Sequence, residues 1–263
     1  MQELLAVTPT VENSGAVDIY NQLKMISGGK LLDVGTQEGT FIQTLARSLK
    51  DFDSFIGIDI SGEHIAVAKE KFPDMPVSFQ IMNAEKLEFS DHSFDTVCIS
   101  YSIHHLENPT DVLQEMHRVL RPGGTFILQE MFCDGNQSDA QRMDTLVHHW
   151  DAKIDSQLGI PHFETLSRIQ IRDLVGSLNF SHIDFYEATR DVGCLFCEEM
   201  QKCENPLNPV IVADTIKQID DNLEKMADQT NYEELQQEAE ALKGRLRMTG
   251  TSSASILFFI CSK

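Results

Sequence analysis

The sequence predicts an α/β fold, an open parallel sheet covered by helices with helical insertions capping one end. Three observations predict it. Short apolar or β-branched runs recur at 30–34, 54–60, 77–82, 94–101 and 124–131, as in strands buried on both faces. Helical patterns lie between them, and that alternation implies right-handed βαβ units. After Glu130 the pattern turns largely helical before a final apolar run, SILFFICSK.

The elements follow in order. Residues 15–26 read as a short helix ahead of the first strand. Helix 40–49 carries Phe41, Ile42, Leu45 and Leu49, and helix 62–72 carries Ile65, Val67 and Ala68. Asn108-Pro109 starts a helix with Val112, Met116, Val119 and Leu120 on one face. Pro122-Gly123-Gly124 stops it after Arg121. Residues 136–157 read as a long helix striped by Met143, Leu146, Val147, Trp150 and Ile154; 168–178 reads as another, and 180–188 as a sixth strand. In 206–246, Val212, Ile216, Ile219, Leu223 and Met226, then Leu235, Ala239, Leu242 and Leu246, recur at helical spacing. This narrow stripe suits helix–helix packing, including a homodimer formed through the hairpin. The implied division is a core of 1–132, 179–190 and 253–263, a helical lid at 133–178 and a hairpin insertion at 191–252.

Composition narrows the partners. With 41 acids against 21 bases, the net charge of −20 repels phosphate backbones and disfavours a nucleic-acid role. No apolar run approaches the roughly 18 residues of a membrane span, and MQELLAVTPTVENSG does not read as a secretory leader. The six cysteines are scattered, which suits free thiols in a reducing compartment. The expectation is a cytoplasmic protein with no membrane or nucleic-acid partner. Cys194, Cys197 and Cys203 have a spacing that thiolates use for soft ions. A fourth ligand is not evident, and packing is the plainer reading.

The chemistry gathers at the predicted strand ends, where open parallel sheets bind ligands. LLDVGTQEGTF runs a strand into a turn containing Gly35 and Gly39. A dinucleotide turn wants glycines at its first, third and sixth positions. Counting from Gly35, those last two are Gln37 and Thr40, which weighs against a nicotinamide-dependent oxidoreductase. Asp33 would repel a pyrophosphate and suits a cationic ligand. Asp59, followed by Ile60, ends the second strand, where a carboxylate can take both ribose hydroxyls. Asn83-Ala84-Glu85 follows the third strand, within reach of an adenine edge. ISYSIHHLENP brings Ser100, Tyr101, His104 and His105 to the same rim.

Four segments in order, LLDVGTQEG, GIDIS, NAEKLEF with FDTVCISYSIHHL, and VLRPGGTFIL, resemble the class I S-adenosylmethionine-dependent methyltransferases of the UbiE-like small-molecule type, with a methyltransferase type 11 domain. The resemblance covers about residues 20–132. It implies a Rossmann-like, doubly wound seven-stranded sheet with the last strand antiparallel, S-adenosyl-L-methionine as cofactor, and a small-molecule acceptor. It also implies that Gly35 and Gly39, with Thr36 and Gln37 between them, flank the methionyl part, and that Asp33 attracts its amino group. Asp59 would hold the ribose beside Ile60, Ala84 with Asn83 and Glu85 would border the adenine, and Ser100, Tyr101 and His105 would complete the rim. Gln37 departs from the family, where glycine is usual. Either the turn takes an ordinary conformation there, or the Gln37 amide faces the ligand carboxylate.

Methyl transfer from a sulfonium needs donor and acceptor in line and water excluded. A base is needed only when the acceptor holds its proton tightly. His105, His104 and Tyr101 are the candidates for catalysis; the plain alternative is that they are wall residues. In VHHWDAKIDSQLGIPH, His148, Asp151 and Asp155 share a helix face. With His149, Trp150 and His162 they read as a substrate-facing lid whose polar cluster could take an acceptor or a metal. The plainer alternative is an amphipathic helix with Trp150 in the core, and no metal is expected. The competing function is a non-catalytic or regulatory module that binds S-adenosylmethionine or S-adenosylhomocysteine.

Overall fold

Lys30–Val34 (β1) buries four of its five residues, and alternation sends Leu31 and Leu32 into different cores. The same holds along the sheet: Cys98 and Ile127 face one side, Val97, Ile99, Phe126 and Leu128 the other. The computed structural model describes residues 16–188 and 205–263. The predicted Cys194, Cys197 and Cys203 lie outside those residues.

Ala16–Leu23 (α1), Thr40–Ser48 (α2) and Gly62–Lys71 (α3) cover the first face. Pro109–Val119 (α4) and Arg168–Gly176 (α6) cover the second. The strands are Ser54–Asp59 (β2), Val77–Ile81 (β3), Phe94–Ser100 (β4), Leu120–Met131 (β5), His182–Ala188 (β6) and Ile256–Ser262 (β7). They form one seven-stranded sheet in the order β3-β2-β1-β4-β5-β7-β6. β1 to β5 pair in parallel, while β7 runs antiparallel to both β5 and β6. This is the doubly wound architecture the sequence predicts, with the antiparallel last strand.

Two boundaries differ from expectation. The fourth helix ends at Val119 rather than Arg121, and β5 starts at Leu120. A proline disfavours helical dihedrals in the residue before it, so Pro122 pushes Arg121 into extended backbone. Leu120 already pairs with Phe94, and the ladder shifts register between Phe94 and Thr96. Asp139–Gln157 (α5) starts three residues later than its apolar pattern suggests, because Ser138 and Gln141 form a reciprocal capping box there.

α5 packs with Pro209–Glu224 (α7) and Tyr232–Thr249 (α8) around a third core. Met143, Val147, Trp150 and Ile154 meet Ile219, Leu223 and Met226 from the α7 side, and Leu235, Ala239 and Leu246 from α8. The helix–helix packing that the stripe predicts is therefore made within the chain, against α5. α6, expected in the lid, instead buries Ile171 and Val175 against the sheet. No helix among the described residues is long and apolar enough to cross a membrane.

If the three-helix cap is a packed core, Leu246→Ala should cost about 2–5 kcal/mol in urea unfolding, as for other buried leucines. A loss under about 1 kcal/mol would mean that the cap is loosely held.

Candidate active site at the strand tips

The parallel register brings four neighbouring strands to a level end. Val34 lies opposite both Ile58 and Ile99, Asp59 opposite Ile81, and Ser100 opposite Gln129. Backbone bonds lace the tips together: Thr36 N–H donates to Ile58 O (2.9 Å), Met82 N–H to Asp59 O (3.0 Å) and Tyr101 N–H to Gln129 O (3.0 Å).

Asp59 joins the first two tips. Its carboxylate accepts Gln37 N–H at 2.9 Å and Ser61 N–H at 2.8 Å. Beside it Ile60 is 74% exposed, and Ile81, at the next tip, is 63% exposed. Asn83 Oδ1 accepts Glu85 N–H at 2.9 Å, and Glu85 Oε1 accepts Asn108 Nδ2 at 2.9 Å, so this loop is tied by its own polar groups. Ala84 packs against the core beneath.

The turn itself is left-handed at three positions, Gly35 (φ 66°), Gln37 (φ 47°) and Gly39 (φ 84°). A Cβ on Gly35 would lie 2.6 Å from Ser102 Oγ, so glycine is required there by space as well as by dihedral. Gln37 does not take an ordinary conformation. It holds the positive φ that glycine would hold, at a cost of order 1 kcal/mol. Tyr101, at the tip of β4, also has φ 47°. Non-glycine residues in this region gather at functional sites, and Gln37 and Tyr101 line the same cavity.

Asp33 is not open to the rim. Its side chain is buried, accepting Thr36 Oγ1–H at 2.6 Å with Cys98 Sγ at 3.4 Å. Burial pushes its carboxyl up to about 7, while those hydrogen bonds pull the other way and the nearby Asp59 charge adds a small upward push. α2 begins at Gly39 with no side chain capping its N-terminus, which leaves a dipole end suited to an anion.

Beyond Ser100, a 3-10 turn over Ile103–His105 carries the two histidines. His104 is buried with Nδ1 3.0 Å from Glu130 Oε1, and Glu130 also accepts Ile103 N–H and Met131 N–H, both at 2.9 Å. His105 lies against His104 and His162, with ring centres 4.4 and 4.1 Å away. Burial lowers the His105 ring to about 3 and the His148 ring to about 2, and neighbouring imidazoles add to both shifts. Both are neutral at neutral pH, and His105 would hold a transferred proton weakly.

A cavity of about 460 Å³ opens between the tips and the cap, lined among others by Gln37, Tyr101, His104, His105, His148 and Asp151. Asp151 accepts Gln218 Nε2 at 2.5 Å and Asn222 Nδ2 at 2.6 Å, and burial raises its carboxyl to about 6 despite them. His149 and Trp150 turn away from this cavity. Trp150 is in the cap core, and His149 Nε2 meets Thr165 Oγ1 at 2.8 Å beside a separate cavity of about 500 Å³. His162 reaches both the histidine group and the second cavity. Sequence reasoning missed Glu130 and the two amides on Asp151. An acid inside the apolar run TFILQEM was the available signal for Glu130.

Residues 32–128 match the family model described as a methyltransferase domain. The ubiquinone/menaquinone biosynthesis C-methyltransferase UbiE of Geotalea uraniireducens (strain Rf4) is 33% identical over 113 residues, 41% of this chain and 48% of that protein. The chain spans about half the length of the curated relatives it matches. A phosphoethanolamine N-methyltransferase of Haemonchus contortus, solved with phosphomonomethylethanolamine and S-adenosylhomocysteine, superposes with a TM-score of 0.53 at 18% identity, covering 95% of this chain and 54% of that one. A protein of Bacillus halodurans C-125, provisionally named a methyltransferase, superposes with a TM-score of 0.58 at 17% identity, covering 94% of this chain and 98% of that one. At these identities the two structures speak for the fold alone.

Two outcomes follow from the turn. Gln37→Gly should leave thermal stability unchanged or raise it by up to about 1 kcal/mol, because relief of the left-handed strain is partly offset by unfolded-state entropy, while Gln37→Val should lower it. Asp33 holds a proton when folded that it releases when unfolded between pH 3.8 and about 7. Stability should therefore fall as pH rises through that window, and Asp33→Asn should remove that part of the slope in denaturant titrations across it.

Proposed function

We propose, from the match of residues 32–128 to the methyltransferase-domain family model, that this chain is an S-adenosylmethionine-dependent methyltransferase acting on a small-molecule acceptor. The observation that carries the reading is the level rim of four strand tips, with Gln37 beyond β1 and Tyr101 beyond β4 opening into a cavity roofed by the chain's own cap.

The rim fits the cofactor in its donor set. The uncapped start of α2 suits the amino acid carboxylate. Asp59, anchored by Gln37 and Ser61 N–H groups, has lone pairs left for ribose hydroxyls. The exposed Ile60 and Ile81 offer apolar surface to a flat base, with Asn83, Ala84 and Glu85 at its edge. Asp33 acts from beneath, holding Thr36 and so the turn. Bound S-adenosylmethionine supplies a methyl group already activated by its positive sulfur.

The chain's part is then positioning and the exclusion of water. Tyr101, His104 and His105 wall the acceptor side, and α5 presents His148 and Asp151 across the cavity. A cavity of about 460 Å³ suits a compact acceptor. The weakly basic environment of His105 favours an orienting role over proton abstraction. A non-catalytic binding module is the second reading, favoured by Gln37 in place of the usual glycine.

Calorimetry tests the reading directly. S-adenosylhomocysteine should bind and NAD should not, and Asp59→Ala should weaken the former by about 1–3 kcal/mol, the worth of charge-assisted hydrogen bonds. NAD binding without S-adenosylhomocysteine binding would reverse the assignment. Binding without methyl transfer to any of a panel of oxygen, nitrogen, carbon and sulfur acceptors would favour the second reading.

A further inference from the structure

Two segments distant in sequence bring four imidazoles together. His104 and His105 come from the 3-10 turn after β4, His148 from α5 and His162 from the loop that follows α5. One ring nitrogen from each lies within 4.8 Å of the corresponding nitrogen of every other. His104 and His162 are buried, and the other two are half-buried.

The outward ring nitrogens are already committed. His104 Nδ1 is 3.0 Å from Glu130 Oε1, and His162 Nδ1 is 2.8 Å from Asp155 Oδ2. His105 is hydrogen-bonded to the Pro161 carbonyl. As acceptors, these carboxylate oxygens take the outer N–H of His104 and His162, which leaves their Nε2 lone pairs facing inward. This is the outer-shell arrangement that orients metal-binding histidines, carboxylate to imidazole to ion.

Packing alone accounts for this poorly. His162 Nε2 and His148 Nε2 are 3.1 Å apart, so His148 can donate a proton to one inward lone pair. His104 Nε2 gains nothing from that bond. Among the described residues no lysine or arginine lines the adjoining cavity, while Asp144 and Asp151 do, which favours a cation.

We propose that His104, His105, His148 and His162 form a binding site for a divalent transition-metal ion of the zinc class, at the cap-side wall of the cavity. Four imidazoles select borderline ions such as zinc or cobalt over magnesium and calcium, which prefer oxygen. Zinc–nitrogen bonds of ~2.0–2.1 Å in a tetrahedron bring ligand atoms to roughly 3.4 Å apart, so the group contracts modestly on loading. The ion faces the cavity lined by Tyr101 and Gln37, where it takes an oxygen donor of the acceptor as a fifth ligand only when the acceptor is bound. That role rests on the methyltransferase reading; the site does not.

The test uses the full chain stripped with a chelator and titrated with ZnCl2, CoCl2 and MgCl2, alongside calorimetry with S-adenosylhomocysteine. The expected result is one equivalent of zinc, cobalt bound with the visible absorption of a nitrogen-ligated tetrahedral ion, and no magnesium. A His148→Ala/His162→Ala variant should lose about 100-fold or more in zinc affinity while retaining S-adenosylhomocysteine binding. His162→Gln, which keeps a group able to bond Asp155, is the companion should the double variant not fold, and it should lose about tenfold. A chain that binds S-adenosylhomocysteine but no zinc overturns the metal site and leaves the methyltransferase reading intact. Zinc without S-adenosylhomocysteine does the reverse. Zinc affinity that survives the histidine changes but falls in Cys194→Ser/Cys197→Ser overturns the assignment to these histidines.

Discussion

The register of β3, β2, β1 and β4 is the constraint on which the rest of the structure depends. In a sheet buried on both faces, a slip of one residue would exchange the contents of the two cores. Leu31 and Leu32 could not trade places without emptying one layer and overfilling the other. That penalty, set deep in the sheet, holds the strand ends level. Asp59 meets Gln37 N–H because Ile58 is opposite Val34, and Tyr101 is turned at the rim because Ser100 is opposite Gln129. Chemistry at the edge is thus positioned by packing beneath it.

Polar contacts on one helix orient the cap over this edge. α5 puts Met143, Val147, Trp150 and Ile154 into the cap core, while Asp151 takes the amides of Gln218 and Asn222 from α7. These contacts fix the rotation of α5 about its axis and so aim His148 inward. The loop after α5 returns over the 3-10 turn, where Phe163 N–H donates to His104 O at 2.8 Å. Two chain segments 59 residues apart are joined at the point where the histidines meet.

Much of the fold was legible because strands buried on both faces leave unbroken apolar runs. The ends of β1 were read correctly, and those of β2, β3 and β4 to within a residue. The end of α4 was misplaced because proline acts backwards on Arg121, a steric effect that apolar spacing does not register. The stripe on α7 and α8 was legible as a buried face, but periodicity does not say what covers it, and α5 does. At the site, the glycine turn and Asp59 stood out. The inward turn of Asp33 did not, since it depends on Thr36 and Cys98 being in reach, and Cys98 is 65 residues away. His162 came from a loop with no pattern to read, and its alignment with His104 needed the structure.

The place of β7 between β5 and β6 has a consequence for how the molecule is made. β6 is complete at Ala188, yet the strand that joins it to the sheet starts only at Ile256, roughly 70 residues later. On a ribosome adding ~5–20 residues per second, the outer edge of β5 waits several seconds for its neighbour, with α7 and α8 emerging in the interval. A nascent chain in that state presents an unpaired strand edge, so holding factors that shield such edges would act on it late in translation, after the rim of β1 to β4 has already formed.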